Sequence, residues 1–104
     1  MNIDKTKVTV SDFHPHLEAR MTQRGVTKEE LQTTLVKGWP ADDAKAGTAG
    51  KVFVFPYNAE WLGKTFAEKE VTVYYKLIGG KVVLLTVKAR YGNSFPKGGG
   101  WDAY

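Results

Sequence analysis

Two groups of basic side chains are the parts of this sequence best suited to chemistry on a phosphate. The first group is His16, Arg20 and Arg24, spaced four residues apart. In a helix each step of four turns by about 40°, so the three side chains form one slanting row. Because cations stacked in this way repel one another mildly, an anion lying across them is stabilised. The row is a candidate phosphate site, and a solvated helix surface is the ordinary alternative.

The second group lies on a predicted β-strand near the end of the chain. Thr86, Lys88 and Arg90 alternate along this strand, so their side chains project from one face at intervals of about 6.6 Å. The ordinary interpretation is the hydrated face of a half-buried antiparallel sheet. If the helical row faces this strand, however, the two groups form one cationic groove between helix and hairpin.

Such a groove predicts cleavage of RNA without a metal ion. A base takes the proton of the ribose 2′-hydroxyl, which attacks the adjacent phosphorus, while cations stabilise the added negative charge. His16 is the first candidate base or acid, because imidazole titrates near neutral pH, and His14 at the helix cap is the second. Tyr74 or Lys88 would assist as the acid that protonates the leaving 5′-oxygen.

The remaining roles follow from the same chemistry. Arginines bind phosphate oxygens in pairs, and aromatic rings stack on unpaired bases where they are exposed. Tyr57, Trp61 and Tyr91 are candidates for such stacking, and packing in the core is the ordinary alternative for each of them. We therefore assign catalysis to His16, Arg20, Thr86 and Lys88, and RNA binding to His14, Arg24, Tyr74, Arg90 and Tyr91.

Composition restricts the alternatives. The chain has no cysteine, which excludes disulfides, thiol nucleophiles and cysteine zinc sites. Neither a P-loop nor a serine nucleophile elbow is present, and we predict no metal and no cofactor. Fifteen Lys and Arg against eleven Asp and Glu give a net charge of +4, which weakly favours polyanionic partners. No apolar run approaches the length of about 18 residues that a membrane span needs, so no membrane partner is predicted.

Local signals predict two helices at the start of the chain. Pro15 suits the first helical position and Gly25 the position just past the end, which bounds the first helix. Thr27 and Glu30 form a capping box that starts the second helix, and Gly38-Trp39-Pro40 ends it.

Strands follow the helices. Residues 51–55 form one strand that Pro56 ends, and residues 57–69 are predicted to be an insertion that is irregular or forms a short helical turn. Residues 70–78 and 82–91 form a hairpin. With residues 7–10 as a short edge strand, the sequence predicts an α+β fold in which two N-terminal helices pack on an antiparallel sheet of three to four strands. Residues 1–104 are expected to form one domain, with a flexible tail from about residue 96.

The hairpin register can be argued from burial. A three-residue loop over residues 79–81 leaves one face apolar apart from one hydroxyl, whereas a two-residue Gly-Gly turn mixes polar and apolar side chains on both faces. The three-residue loop pairs Leu77 with Val83, Tyr75 with Leu85, Val73 with Val87 and Val71 with Ala89. On the opposite face it places Tyr74 beside Thr86, Thr72 beside Lys88 and Glu70 beside Arg90.

Two runs carry a family resemblance. Residues 16–27, His-Leu-Glu-Ala-Arg-Met-Thr-Gln-Arg-Gly-Val-Thr, resemble the opening of small toxin domains in the barnase/EndoU/colicin/RelE-like ribonuclease superfamily. Residues 83–95, Val-Leu-Leu-Thr-Val-Lys-Ala-Arg-Tyr-Gly-Asn-Ser-Phe, look like the closing strand of polymorphic-toxin members. The similarity covers residues 12–97.

The resemblance implies cleavage of RNA, such as tRNA or ribosome-bound RNA, with His16, Arg20 and Arg24 on the helix and Thr86, Lys88 and Arg90 on the strand. It also implies a cognate immunity protein or antitoxin as partner. It implies action in the cytoplasm, and delivery into a target cell as the C-terminal part of a larger secreted toxin fits the same family.

Two other classes of function fit the sequence. A non-enzymatic RNA-binding or regulatory module keeps the basic groove and predicts RNA binding that weakens with salt, without cleavage. A protein-interaction domain would dock its partner on the hairpin edge or the tail. Incubation with total RNA in EDTA separates cleavage from both.

Overall fold

Two helices precede a four-stranded antiparallel sheet, as the sequence predicts. The computed structural model describes residues 15–97, so His14 and the edge strand predicted over residues 7–10 lie outside the described residues. The helices are α1 (Pro15–Arg24) and α2 (Lys28–Lys37), and the strands are β1 (Trp39–Pro40), β2 (Ala49–Trp61), β3 (Lys64–Ile78) and β4 (Lys81–Gly92). The strands lie in the order β1-β2-β3-β4, with each neighbouring pair antiparallel. The chain has an α+β fold.

The helix boundaries are where the local signals place them. After α1, Gly25 adopts a φ of 72°, in the left-handed region that favours glycine. The capping box of α2 is complete: Thr27 Oγ1 accepts from the backbone N–H of Glu30, and the Glu30 carboxylate accepts from the backbone N–H of Thr27, each at 3.0 Å. Gly38 caps the other end, where its N–H donates to the Thr34 carbonyl at 2.9 Å.

Both helices cover the same side of the sheet, here called the helix face; the other side is the open face. α1 packs against β4, and α2 packs against β2 and β3. Side chains alternate between faces along a strand, so odd-numbered residues of β3 point to the helices and even-numbered ones to the open face. The buried core between helices and sheet consists of Leu17, Met21, Val26, Leu31, Leu35, Val71, Val73, Tyr75, Leu84 and Val87.

The irregular or helical insertion predicted over residues 57–69 is wrong, because this segment forms a second β-hairpin between β2 and β3. The strand continues past Pro56 because a register shift between Pro56 and Ala59 accommodates a residue that has no N–H to donate. Leu62 and Gly63, with φ values of 51° and 86°, make the tight turn. Leucine rarely adopts a left-handed conformation, so the local sequence gives no hairpin signal here.

The register predicted for the β3–β4 hairpin is correct away from the turn and wrong near it. The pairs Val71↔Ala89, Val73↔Val87, Glu70↔Arg90, Thr72↔Lys88 and Tyr74↔Thr86 are as predicted. The turn itself has two residues, Gly79 and Gly80, with φ values of 57° and 80°, and it pairs Ile78 with Lys81. The predicted three-residue loop is therefore wrong.

A β-bulge in β4 reconciles the two registers. Tyr75 pairs with Leu84 rather than with Leu85, whereas Tyr74 pairs with Thr86, so Leu85 is the extra residue. Between the bulge and the turn, the register is the one that a two-residue Gly-Gly turn requires. On the other side of the bulge, the register keeps the apolar side chains of β3 and β4 on the same face.

Candidate functional site

The helical row (His16, Arg20 and Arg24) lies on the opposite side of the sheet from the strand group (Thr86, Lys88 and Arg90). Near the end of α1, Arg24 Nε donates to the backbone carbonyl of Val87 at 3.2 Å, on the side where Val87 joins the core. Thr86, Lys88 and Arg90 alternate with these core residues and pair with open-face residues of β3. The predicted groove between helix and hairpin is therefore wrong. α1 packs on the apolar face of the hairpin, and this places the sheet between the two groups.

The members of the helical row have different surroundings. His16 is exposed, and Arg20 and Arg24 are half-buried. Tyr91, which was assigned to RNA binding, lies on the helix face, where its hydroxyl donates to the Arg24 carbonyl at 2.6 Å. Its ring stacks on Trp61 at 4.6 Å between centroids, and burial raises the pKa of Tyr91 to about 12. The Tyr91 ring is thus used in internal packing.

The open face carries a cleft of about 500 Å³. Open-face side chains of β2, β3 and β4 line it, and the segment after α2 forms one wall. Its lining residues are Trp39, Pro40, Ala41, Asp42, Asp43, Val52, Glu70, Thr72, Lys88, Arg90 and Pro96. Two of the predicted site residues, Lys88 and Arg90, meet here, and no residue of α1 takes part.

A carboxylate and a guanidinium are paired in this cleft. Glu70 Oε1 lies 2.8 Å from Arg90 Nε, and the Glu70 side chain is 11% exposed whereas that of Arg90 is 62% exposed. The hydrogen bond from Arg90 to Glu70 and the charge of Glu70 raise the pKa of Arg90. The predicted register already places Glu70 beside Arg90, although Glu70 is not among the predicted site residues. A carboxylate on a face otherwise predicted to be cationic is the feature of the sequence that points to it.

A second carboxylate, that of Asp43, joins two of the predicted residues of the open face, Lys88 and Tyr74. Asp43 Oδ2 lies 2.8 Å from Lys88 Nζ, and both carboxylate oxygens of Asp43 accept from the Tyr74 hydroxyl at 2.9 Å. Hydrogen bonds from Lys88 and then Tyr74 lower the pKa of Asp43, and the bond to Asp43 raises the pKa of Lys88. Burial raises the pKa of Tyr74. Asp43 is not among the predicted site residues, because it lies in the loop of residues 41–48 and is 45 positions from Lys88 along the chain.

The residues after β4 border the same cleft. The backbone N–H of Phe95 donates to Glu68 Oε1 at 2.8 Å, and Lys97 Nζ lies 2.5 Å from Glu68 Oε2. These bonds lower the pKa of Glu68, with the Lys97 bond as the larger cause. The guanidinium of Arg90 lies 5.1 Å from the centroid of the Phe95 ring. Glu68 and Arg90 thereby hold the chain where Pro96 reaches the cleft.

The charge of the cleft differs from the expected cationic groove. Lys88 and Arg90 are each paired with a carboxylate, and Asp42 adds a third acidic side chain to the lining. The arrangement is a set of hydrogen-bonded acid–base pairs. Such a pair can receive an anion where its carboxylate withdraws from the cation.

Comparison with protein-family models, curated proteins and solved structures finds no match to this chain. The family resemblance of residues 16–27 and 83–95 therefore stays a prediction. Between residues 15 and 97, no group of three His, Cys, Asp or Glu is placed to hold a metal ion. No helix in that part of the chain is both long enough and apolar enough to cross a membrane.

Proposed function

We propose that this protein is a metal-independent ribonuclease whose reactive groups lie on the open face of the sheet. The observation that carries the proposal is the pair of Glu70 and Arg90, 2.8 Å apart in the cleft. RNA transesterification needs a base next to a cation that stabilises the charge developing on phosphorus. The pair supplies both groups from neighbouring strands, whose backbone holds them in place.

The reaction can be written with these side chains. The Glu70 carboxylate accepts the proton of the 2′-hydroxyl, and the resulting oxyanion forms a bond to the adjacent phosphorus. Arg90 and Lys88 stabilise the pentacoordinate intermediate. The bond from phosphorus to the 5′-oxygen then breaks, and Lys88 or Tyr74 donates a proton to that oxygen. The products are a 2′,3′-cyclic phosphate and a free 5′-hydroxyl.

The Asp43 carboxylate supports a phosphate position beside Lys88. Its two oxygens accept hydrogen bonds from the Lys88 ammonium and the Tyr74 hydroxyl, which are the donors that phosphate oxygens would use. Arg90 is bound to Glu70 through Nε, and a guanidinium has further N–H groups for a phosphate. Substrate binding therefore requires Asp43, which lies on an exposed loop, to leave Lys88.

The helical row of His16, Arg20 and Arg24 then has a lesser role than the sequence predicts. The sheet separates His16 and Arg20 from Lys88, so His16 does not act on a phosphate held at Lys88. We propose that the α1 arginines contribute only to electrostatic attraction of RNA, an effect that salt weakens.

The test compares Glu70→Gln with His16→Ala in cleavage of total RNA in EDTA. Glutamine keeps an oxygen that accepts from Arg90 but is no base, so we expect cleavage to fall by about 10²-fold or more. His16→Ala should cleave at the wild-type rate. Circular dichroism checks that both variants are folded. Full activity of a folded Glu70→Gln variant refutes this site, and a loss confined to His16→Ala returns the chemistry to α1.

The pairing of both strand cations favours one other function, RNA binding without cleavage. In the free protein Lys88 is paired with Asp43 and Arg90 with Glu70. Exchanging these carboxylates for RNA phosphates would bind RNA without any catalytic step. If this is the function, RNA stays intact when it is incubated with the wild-type protein in EDTA or in added Mg²⁺. The protein nevertheless retains RNA in a filter-binding assay, and this binding weakens as the salt concentration rises.

A further inference from the structure

A second cleft lies on the other side of Lys88. It has a volume of about 420 Å³, and most of its accessible wall is apolar. Tyr74, Leu85 and Thr86 form the sheet side of this wall, and Lys45 and Thr48 border it from the loop of residues 41–48. Lys88 and Asp43 line both clefts, so their ion pair borders each of them.

The β-bulge of β4 builds this wall. Strict alternation would send Leu85 to the helix face, because Leu84 and Thr86 would then share the open face. Instead Leu84 is buried in the core, and Leu85 lines the same cleft as its neighbour Thr86. A bulge interrupts the ladder of the strand and re-aims side chains, and here it turns an apolar side chain toward a cleft beside a cation.

We infer that this cleft, which we name the base cleft, binds the nucleobase of a nucleotide whose phosphate is held at Lys88. The inference rests on the proposed function for the phosphate position, but not on cleavage. A nucleobase has apolar faces and polar edges. Leu85 and the Tyr74 ring offer apolar contact, and the hydroxyls of Thr48 and Thr86 offer hydrogen bonds at its edge.

Distances support a single nucleotide spanning the two positions. Lys88 Nζ lies 5.5 Å from the centroid of the Tyr74 ring, so a phosphate on Lys88 is directly beside the apolar wall. Thr48 Oγ1 donates to the Lys45 carbonyl at 2.7 Å, which leaves its lone pairs to accept from a base. An apolar side chain of a protein partner would use the wall but neither the cation nor the hydroxyls.

The experiment measures binding of nucleoside 3′-monophosphates, with ribose 5-phosphate and inorganic phosphate as ligands without a base. Amide chemical shifts in NMR spectra report both affinity and location. We expect nucleotides to bind at least about tenfold more tightly than ribose 5-phosphate, since one stacked base contributes roughly this much. The amide signals of Thr48, Leu85 and Thr86 should shift with nucleotides and not with inorganic phosphate.

A matched pair of variants locates the effect. Leu85→Asp places a charge on the wall and should remove the advantage of nucleotides over ribose 5-phosphate. Leu77→Asp makes the same change at a leucine that is 47% exposed near the hairpin turn, and it should leave that advantage intact. Equal affinity of nucleotides and ribose 5-phosphate for the wild-type chain overturns the inference, as does an advantage that Leu85→Asp retains.

The outcomes separate this inference from the proposed function. If nucleotides bind in the base cleft but the protein leaves RNA intact, the inference holds and the cleavage chemistry fails. If cleavage depends on Glu70 but nucleotides bind no better than ribose 5-phosphate, the ribonuclease stands and the base cleft is refuted. Binding of an apolar peptide at these residues, without nucleotide binding, likewise refutes it.

Discussion

Replacing Lys69 by methionine tests how the helices are held on the sheet. Lys69 Nζ lies 2.7 Å from Glu30 Oε1 and also donates to the Gly25 carbonyl, and its side chain is only 4% exposed. The ammonium is 5.7 Å and 5.6 Å from the ring centroids of Tyr57 and Tyr91. Methionine keeps most of the aliphatic stem but removes the charge and all three hydrogen-bond donors.

The expected loss can be worked from these contacts. The Gly25 carbonyl loses a donor, and because Gly25 is half-buried this costs no more than the roughly 1–3 kcal/mol typical of a fully buried group. The Glu30 side chain is 21% exposed and still accepts from the backbone of Thr27, so its lost partner costs less than the 3–5 kcal/mol typical of a fully buried charge. We expect a total of about 3 kcal/mol. For a domain of this size that lowers Tm by about 12–24 °C.

Urea unfolding of Lys69→Met, Glu30→Gln and the double variant measures the interaction directly. The double-mutant cycle should give a coupling free energy of about 1 kcal/mol or more. Lys28→Met is the control, because Lys28 and Glu18 form an ion pair at 3.3 Å with side chains 48% and 47% exposed, and such pairs contribute about 0–1 kcal/mol. Equal losses for Lys69→Met and Lys28→Met, or a coupling free energy near zero, would refute the reasoning.

Two further predictions concern the residues around Lys69. Gly25→Ala should lower the free energy of unfolding by at least about 1 kcal/mol more than Gly47→Ala does. Both glycines have a positive φ, but only at Gly25 would the new Cβ lie 2.6 Å from the Trp61 ring. Equal losses of stability in urea unfolding would contradict this prediction. The folded-state pKa of Tyr91, about 12, exceeds the unfolded value of about 10, so the unfolded chain loses its proton first and stability should fall as pH rises from about 10 to about 12. Tyr91→Phe should show a shallower fall in unfolding experiments over that range, and an unchanged slope would show that Tyr91 is not responsible.

The parts of the fold that the sequence predicts correctly depend on short-range chemistry. The capping box of Thr27 and Glu30 and the glycine after α1 involve neighbours within a turn of helix, so their meaning is local. The errors arise where tertiary packing overrides local preference. Pro56 does not end its strand because a register shift absorbs it, and Leu85 leaves the expected register because a bulge serves the two-residue turn and the apolar face together.

The candidate site is predictable in part. Strand alternation correctly places Thr86, Lys88 and Arg90 on one face with Tyr74. Strand alternation alone does not show whether α1 packs on that face or on the opposite one. The answer requires matching the apolar residues of α1, Leu17 and Met21, to the apolar face of the hairpin. Asp43 is beyond sequence reasoning altogether, because its bond to Lys88 joins residues 45 positions apart through a loop with no motif of its own.

Because side chains alternate along β3 and β4, neighbouring residues belong to the core and to the cleft in turn. Val71, Val73 and Val87 are buried under the helices, whereas Thr72 and Lys88, one position away, line the cleft. The side chains of Lys88 and Arg90 are 43% and 62% exposed, so they can be replaced without removing any contact of the hydrophobic interior. Natural selection can therefore alter what this surface recognises at these two positions, and the core needs no compensating change.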